Sequence, residues 1–311
     1  MTLEPVNPFA VPHLHGPVQP LRPFAHDHDG LYVRVDDGEQ QYLSFQRQMG
    51  DLRALLEIGR TVLAIGESGC GKTALLHRCA AWVIAELGGR GVTAKVVDAT
   101  RRFLVAREMP SAERLVAVCD HLYDLMRQDG LIRPDADAEF KENRREPYRV
   151  YQNLGGFMPD DHVLILLLPS PKELWEEVVQ YAGFAQGRVL FLMESDMLAD
   201  EDVARIRRDV AHFTEPVVLQ VGPLVAGDVE RFVTDRLGRR GNTARFPRLS
   251  DEAIAAAGRK FKTVAQLQLA LHSTYQSRMD RATGYENDAW VTAEEILEDS
   301  ERRSVKGSGT S

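Results

Sequence analysis

The chain has 311 residues, 44% of them hydrophobic and 27% charged, with a formal net charge of -8. That length fits one large domain or two small ones with a sizeable buried core. The negative balance argues against a generic polyanion binder and leaves only a local contact with nucleic acid open. The cysteines Cys70, Cys79 and Cys119 have neither disulfide-framework nor zinc spacing and fit a reducing compartment.

Residues 1–30 are rich in Pro and His and lack periodicity, which predicts an extended arm. No basic stretch followed by an apolar run opens the chain, and the apolar run at 163–168 is too short to span a bilayer. The expectation is a cytoplasmic protein with no membrane partner. His26-Asp27-His28-Asp29 has metal-ligand chemistry, but no second ligand cluster follows, so a solvated arm is expected there.

Alternation at 31–35 predicts a short strand, closed by the turn signal Asp36-Asp37-Gly38. Residues 43–58 carry Phe45, Met49, Leu52, Leu55 and Leu56 at helical spacing. A short apolar strand is expected at 61–65 and a helix at 73–87. Further strands are expected at 92–97, 163–168, 188–193 and 216–221. Between them the pattern predicts helices at 111–126, with Ser111 as N-cap, at 171–182 and at 200–212. Residues 129–145 are polar and read as an inserted loop or an exposed helix. Strands separated by helices imply a parallel sheet covered on both faces. After 221 the pattern is helical only, with candidates at 227–237, 251–259, 263–279 and 292–302. The expected organisation is an arm at 1–42, a core at 43–222, a small all-helical lid at 223–302 and a disordered tail at 303–311.

Between the strand at 61–65 and the next helix lies Gly66-Glu67-Ser68-Gly69-Cys70-Gly71-Lys72-Thr73, the spacing G-x-x-x-x-G-K-[ST]. The apolar strand before it and the helix after it make this a specific signal for nucleoside triphosphate binding. The glycines let backbone N–H groups converge on phosphates, and the helix N-terminus adds partial positive charge. Lys72 is the expected partner of the β- and γ-phosphates and Thr73 the expected Mg²⁺ ligand. Cys70, near a helix N-terminus and a lysine, has a setting that lowers a thiol pKa, although a small inert side chain is the preferred reading. No Asn-Lys-x-Asp guanine signature occurs, which favours ATP.

With these elements in order, the chain resembles the AAA+ ATPases and their STAND-type signalling relatives over residues 43–279. The fold this implies is an α/β P-loop NTPase three-layer core with a parallel sheet, followed by the helical lid. In that family the third strand ends in Asp-Glu; here it runs Val163-Leu164-Ile165-Leu166-Leu167-Leu168 into Pro169-Ser170. The resemblance therefore implies a degenerate Walker B motif. Two registers remain. Glu194 follows a penultimate strand beside the P-loop strand and substitutes for the missing base, with Ser195 near the sensor-1 position. Alternatively, 190–194 is itself the Walker B strand, with Met193 in place of Asp. The first is preferred because 216–221 fits the final strand. Asp98 is a weaker candidate for the Mg²⁺ shell. The resemblance also points to Arg205, Arg207 and Arg208 as finger candidates, which implies a homo-oligomer, and to Arg259 or Lys262 near sensor 2.

Lys141, Arg144, Arg145 and Arg149, with Tyr148 and Tyr151, form a basic run diluted by Glu139, Glu142 and Glu146, read as a solvated helix face. The leading expectation is an ATP-binding, nucleotide-dependent switch or assembly factor for a partner protein, with weak or absent hydrolysis. The alternatives are an active oligomeric ATPase acting on protein or DNA, and a structural subunit with a vestigial site.

Overall fold

The computed structural model describes residues 4–100, 109–171, 174–196, 200–210, 214–239, 244–281 and 285–298. The expected tail at 303–311 lies outside them.

In chain order the core elements are α1 (Gly38–Met49), α2 (Ala54–Glu57), β1 (Arg60–Ile65), α3 (Lys72–Gly88), β2 (Thr93–Asp98), α4 (Ser111–Gln128) and α5 (Asp137–Asn143). They continue with α6 (Pro147–Gln152), α7 (Leu154–Phe157), β3 (His162–Leu167), α8 (Leu174–Phe184), β4 (Val189–Ser195), α9 (Asp200–Asp209) and β5 (Val217–Gln220). The lid follows as α10 (Asp228–Gly238), β6 (Arg248–Leu249), α11 (Asp251–Lys260), α12 (Val264–Arg281) and β7 (Trp290–Val291). A last helical segment spans 293–298.

The sheet is fully parallel, in the order β2-β3-β4-β1-β5. Its inner strands β1, β3 and β4 are buried and apolar over most of their length because helices cover both faces, whereas the edge strand β2 exposes Lys95. Strand alternation sorts the side chains. Val62, Ala64, Leu190 and Leu192 face α1 and α3 with Phe45, Leu75 and Cys79. Leu63, Ile65, Phe191 and Met193 face the opposite layer, with Leu122, Phe140, Tyr151 and Tyr181. A third core joins the lid helices to the arm, through Phe9, Val35, Phe232, Leu271 and Tyr275.

Several local expectations change. The strand expected at 31–35 is absent: a 3-10 turn covers Asp29–Leu31, and Val35 packs into the lid core rather than a sheet. The helix expected at 43–58 begins earlier, at Gly38, and breaks after Met49, where Gly50 takes φ 57°. Ser111 is the first residue of α4 rather than its cap, which is Pro110. The polar stretch 129–145 folds partly into α5, whose Phe140 is fully buried and stacks on Phe157. The lid carries, beside its helices, the two-residue parallel pair β6–β7.

The arm is anchored at particular residues, with Asn7, Phe9 and His28 buried, while others such as His13, His15, Asp27 and Asp29 are exposed. Both ring nitrogens of buried His28 are engaged, Nδ1 with the Arg22 amide at 2.9 Å and Nε2 with the Pro12 carbonyl at 2.9 Å. His28 therefore fastens the arm to itself, and among the described residues no cluster of three or more His, Cys, Asp or Glu is arranged to hold a metal. Toward the core, His77 of α3 donates to the Leu21 carbonyl at 2.7 Å and Tyr32 donates to the Ala74 carbonyl at 2.9 Å. Toward the lid, Asn7 donates to the His272 carbonyl at 2.8 Å, and Phe9 meets Tyr275 edge-on at 5.0 Å. No helix among the described residues is long and apolar enough to cross a membrane.

Candidate functional site

β1 is central in the sheet and delivers the chain into the loop 66–71, which α3 continues. Gly66 and Gly69 adopt φ 150° and 86°, and neither tolerates a side chain. A Cβ on Gly66 would collide with the Val221 carbonyl, and one on Gly69 would lie 2.8 Å from Thr263 Oγ1. The loop also bonds the lid directly, since the Ala265 amide donates to the Gly69 carbonyl at 3.1 Å. Glu67 and Ser68 are exposed at the loop tip. Cys70 is buried, and burial raises its thiol pKa, so it behaves as a small inert side chain rather than a thiolate.

Lys72 is 5% exposed. Its Nζ donates to the carbonyls of Gly66 and Glu67, each at 2.9 Å, and to Asp196 Oδ1 at 2.5 Å. The neighbouring Thr73 Oγ1 donates to Glu194 Oε2 at 2.6 Å. Glu194 is the last residue of β4 that points to the α3 side. Burial raises its carboxyl pKa, against the lowering effect of the Thr73 hydroxyl and the Lys72 charge.

The register explains why these acids come from β4. β4 pairs with β1, so that Ala64 lies level with Glu194 and Ile65 with Ser195. On β3, Leu167 lies level with Leu192. β3 ends there and the chain continues as Leu168, Pro169 and Ser170, so the neighbouring strand offers no carboxylate. Asp98 at the end of β2 already accepts from the Thr100 amide at 3.0 Å and pairs with Arg22 at 3.6 Å.

Ser195 follows the strand alternation to the opposite face. It is buried, and its carbonyl accepts from the Gly66 amide at 3.3 Å. The side chain that meets Lys72 is Asp196, a residue that sequence reasoning missed. Its signal was available: it stands two positions after Glu194, so an extended backbone puts both carboxylates on one side.

The loop, Glu194 and Asp196 border a cavity of about 470 Å³ that runs between core, lid and arm. Asp36 stands on its wall, close to Gly71. Burial, with the Asp228 and Asp37 charges adding to it and the Gly38 amide opposing it, pushes the Asp36 carboxyl up to about 8. Arg236 and Gln268 of the lid also line it.

The other candidates stand apart. Arg205 lies over the Trp175 ring at 3.9 Å, and Arg207 pairs with Glu215 at 3.2 Å. Arg208 is exposed at the end of α9. Arg259 and Lys262 are exposed and do not line the cavity. The basic run is compensated within the fold. Arg144 pairs with Asp120 at 2.9 Å, Arg149 pairs with Glu146 at 3.5 Å, and Tyr151 is fully buried.

No protein-family model and no curated protein sequence matches this chain. Solved structures do. The ORC2 protein of Aeropyrum pernix, solved as ADPNP–ADP complexes, aligns over 99% of this chain and 76% of its own, at 13% identity and TM-score 0.56. The ORC1 protein of the same organism, solved with DNA, aligns over 85% of this chain at 17% identity and TM-score 0.53. This chain spans 65% of that relative's length. Domain III of the Thermotoga maritima replication initiation protein DnaA aligns over 91% of this chain and 98% of its own, at 13% identity and TM-score 0.50. The chain has the AAA+ P-loop ATPase-like fold, with a parallel five-stranded α/β core and helical segments after it.

Proposed function

We propose that this chain binds ATP with Mg²⁺ on the loop 66–73 and works as a nucleotide-dependent switch for a partner protein, with slow or absent hydrolysis. The observation that carries the reading is the pairing of Lys72 with Asp196 and of Thr73 with Glu194, at the end of a strictured glycine loop and beside a cavity of nucleotide size. A buried lysine at a helix N-terminus is a strong anion site. In this reading the loop amides and Lys72 hold the phosphates, and Thr73 with Glu194 holds the cation. Bound Mg²⁺ offsets phosphate charge.

Slow turnover follows from the acids. β3 supplies none at the site, and Glu194 of β4 and Asp196 just beyond it are already hydrogen-bonded to the loop's own Thr73 and Lys72. A general base must reach the attacking water, and Glu194 is held by Thr73 instead. The switch reading rests on the arm and lid, which share the cavity walls with the core. A ligand that contacts all three biases how they pack, and that bias is what a partner would sense.

The test is calorimetric titration of MgATP into the wild type and Lys72→Ala, beside phosphate release by the wild type and Glu194→Gln. Binding that weakens at least tenfold in Lys72→Ala, with little turnover in the wild type, supports the switch. Equal binding by Lys72→Ala removes the loop from the account. Brisk turnover that Glu194→Gln abolishes replaces the switch with an active ATPase.

A further inference from the structure

The phosphate end of the cavity is accounted for by the loop, but its lid wall holds two buried polar groups with unmet hydrogen-bonding capacity. Arg236, on α10, is 7% exposed, and its Nε has no hydrogen-bond partner among the described residues. Its guanidinium lies 5.3 Å from the Phe232 ring centroid, a contact that uses no N–H. The neighbouring carboxylate, Asp235, is engaged by Arg239. Burial lowers the Arg236 pKa only to about 10, so it remains a cation at neutral pH. A buried N–H such as this Nε is costly unless something arrives to accept from it.

Gln268, on α12, is also 7% exposed. Its Nε2 donates to the Phe9 carbonyl at 2.6 Å. A carbonyl can only accept, so the amide orientation is fixed: nitrogen toward Phe9, oxygen away. That oxygen is buried and has no partner among the described residues. The wall therefore presents one donor that cannot accept and one acceptor that cannot donate. Phe9 ties the two together, since it stacks on Phe232 at 6.3 Å while its carbonyl holds Gln268.

The position along α10 identifies what the pair meets. Arg236 is eight residues beyond Asp228, whose carboxylate bonds Asp36 beside Gly71. Eight residues of helix span about 12 Å. Taken along α10, that length is comparable to the span from a nucleotide's phosphates to its base, so the base of a nucleotide held at the loop can reach Arg236. We propose that Arg236 and Gln268 read the base of the bound nucleotide, and that the base is adenine. This rests on nucleotide binding at the loop.

Adenine carries its 6-amino donor between two ring acceptors, N1 and N7. Either edge satisfies the pair: the amino group donates to Gln268 Oε1, and a ring nitrogen accepts from Arg236. Guanine's N7/O6 edge is acceptor-only and strands the Gln268 oxygen, while its O6/N1–H edge still meets the pair, so adenine is favoured by having two usable edges against one.

The probe is a set of three triphosphates, ATP, GTP and purine riboside triphosphate, which lacks the 6-amino group. They are titrated into the full chain, Lys72→Ala, Gln268→Leu and Arg236→Met. Leaving a buried acceptor unpaired costs about 10- to 100-fold in affinity. The wild type is expected to bind ATP tighter than purine riboside triphosphate by that factor, and GTP no tighter than ATP. Gln268→Leu is expected to weaken ATP to the level of purine riboside triphosphate, and Arg236→Met to weaken both. Equal wild-type affinity for ATP and purine riboside triphosphate, or tighter binding of GTP, overturns the base-reading pair while leaving the loop site intact. A preference for ATP that survives Gln268→Leu overturns it too. The wild-type comparison needs no variant, so a misfolded variant does not protect the proposal. Failure of all three to bind, with Lys72→Ala no different, removes the nucleotide site and this inference with it.

Discussion

Asp36 offers a quantitative check on the cavity's electrostatics. In the unfolded chain its carboxyl titrates near 3.8, whereas in the folded cavity wall it holds its proton up to about 8. Between those values the folded state binds one proton more than the unfolded state, so stability falls as pH rises through that window and levels above it. Each pH unit of the window removes about 1.4 kcal/mol. Between pH 5 and pH 7 the Asp36 contribution alone is therefore a loss of about 2.7 kcal/mol. Asp36→Asn deletes the titration and keeps the shape. Asparagine also tolerates the φ of 51° at this position, and its oxygen can still accept from the Gly38 amide. The assay is urea unfolding of wild type and variant at pH 5, 6, 7 and 9, read as the difference between the two. The variant should gain on the wild type steadily from pH 5 to pH 8 and then hold its lead. Parallel pH profiles would refute the reasoning, because a carboxyl that is ionised in the folded state at pH 6 contributes no such slope.

Phe9→Ala removes a fully buried ring that packs on Phe232 and Tyr275, and should cost about 3–5 kcal/mol by urea unfolding. A loss below about 1 kcal/mol would mean that the arm does not belong to the lid core. The Arg114–Glu177 pair, at 3.2 Å with side chains 4% and 3% exposed, links α4 to α8. Arg114→Met should cost about 3–5 kcal/mol by leaving a buried carboxylate, and adding Glu177→Met should restore much of it. A double variant no more stable than the single one would show that the pair's worth lies in packing rather than charge.

The phosphate loop was legible because its chemistry is local: the glycines, lysine and threonine that must converge are consecutive. The sheet was legible because strands buried on both faces read as continuous apolar runs, as at 163–168. Glu194 could be singled out only by assigning a strand order, and the pairing of β4 with β1 is a tertiary fact. Where local pattern and tertiary packing part company, the reading failed. Leu31, Val33 and Val35 alternate as in a strand, yet Val35 is buried in the lid core, with Val33 partly buried against it, rather than in a ladder. The arm has no periodicity because it threads two surfaces of different shape, so its residues pack one at a time. Arg236 was invisible because an arginine on an amphipathic helix reads as solvent-facing, whereas it is buried beside Phe232, on which Phe9 of the arm stacks.

The same loop makes a last prediction, with a sign that is easily got wrong. An ammonium has three donors, and all three of Lys72's are used, on two loop carbonyls and on Asp196. A phosphate cannot take its place beside Lys72 without displacing one acceptor. The carbonyls are part of the loop backbone and move only with it. Asp196 is 56% exposed and regains water when it leaves, so it is the acceptor that exchanges. It also carries the same charge as the ligand. Asp196→Asn should therefore tighten ATP binding. The gain is small, because a pair this exposed is worth about 0.2–1 kcal/mol, which is at most about fivefold in affinity. Glu194 differs: it is buried and bonded to Thr73, so Glu194→Gln should weaken MgATP and spare ATP without the metal. Titration of both variants with and without Mg²⁺ separates the two roles. A loss of affinity in Asp196→Asn, matching that in Glu194→Gln, would mean that both carboxylates serve the cation and that Lys72 is not held in reserve by either.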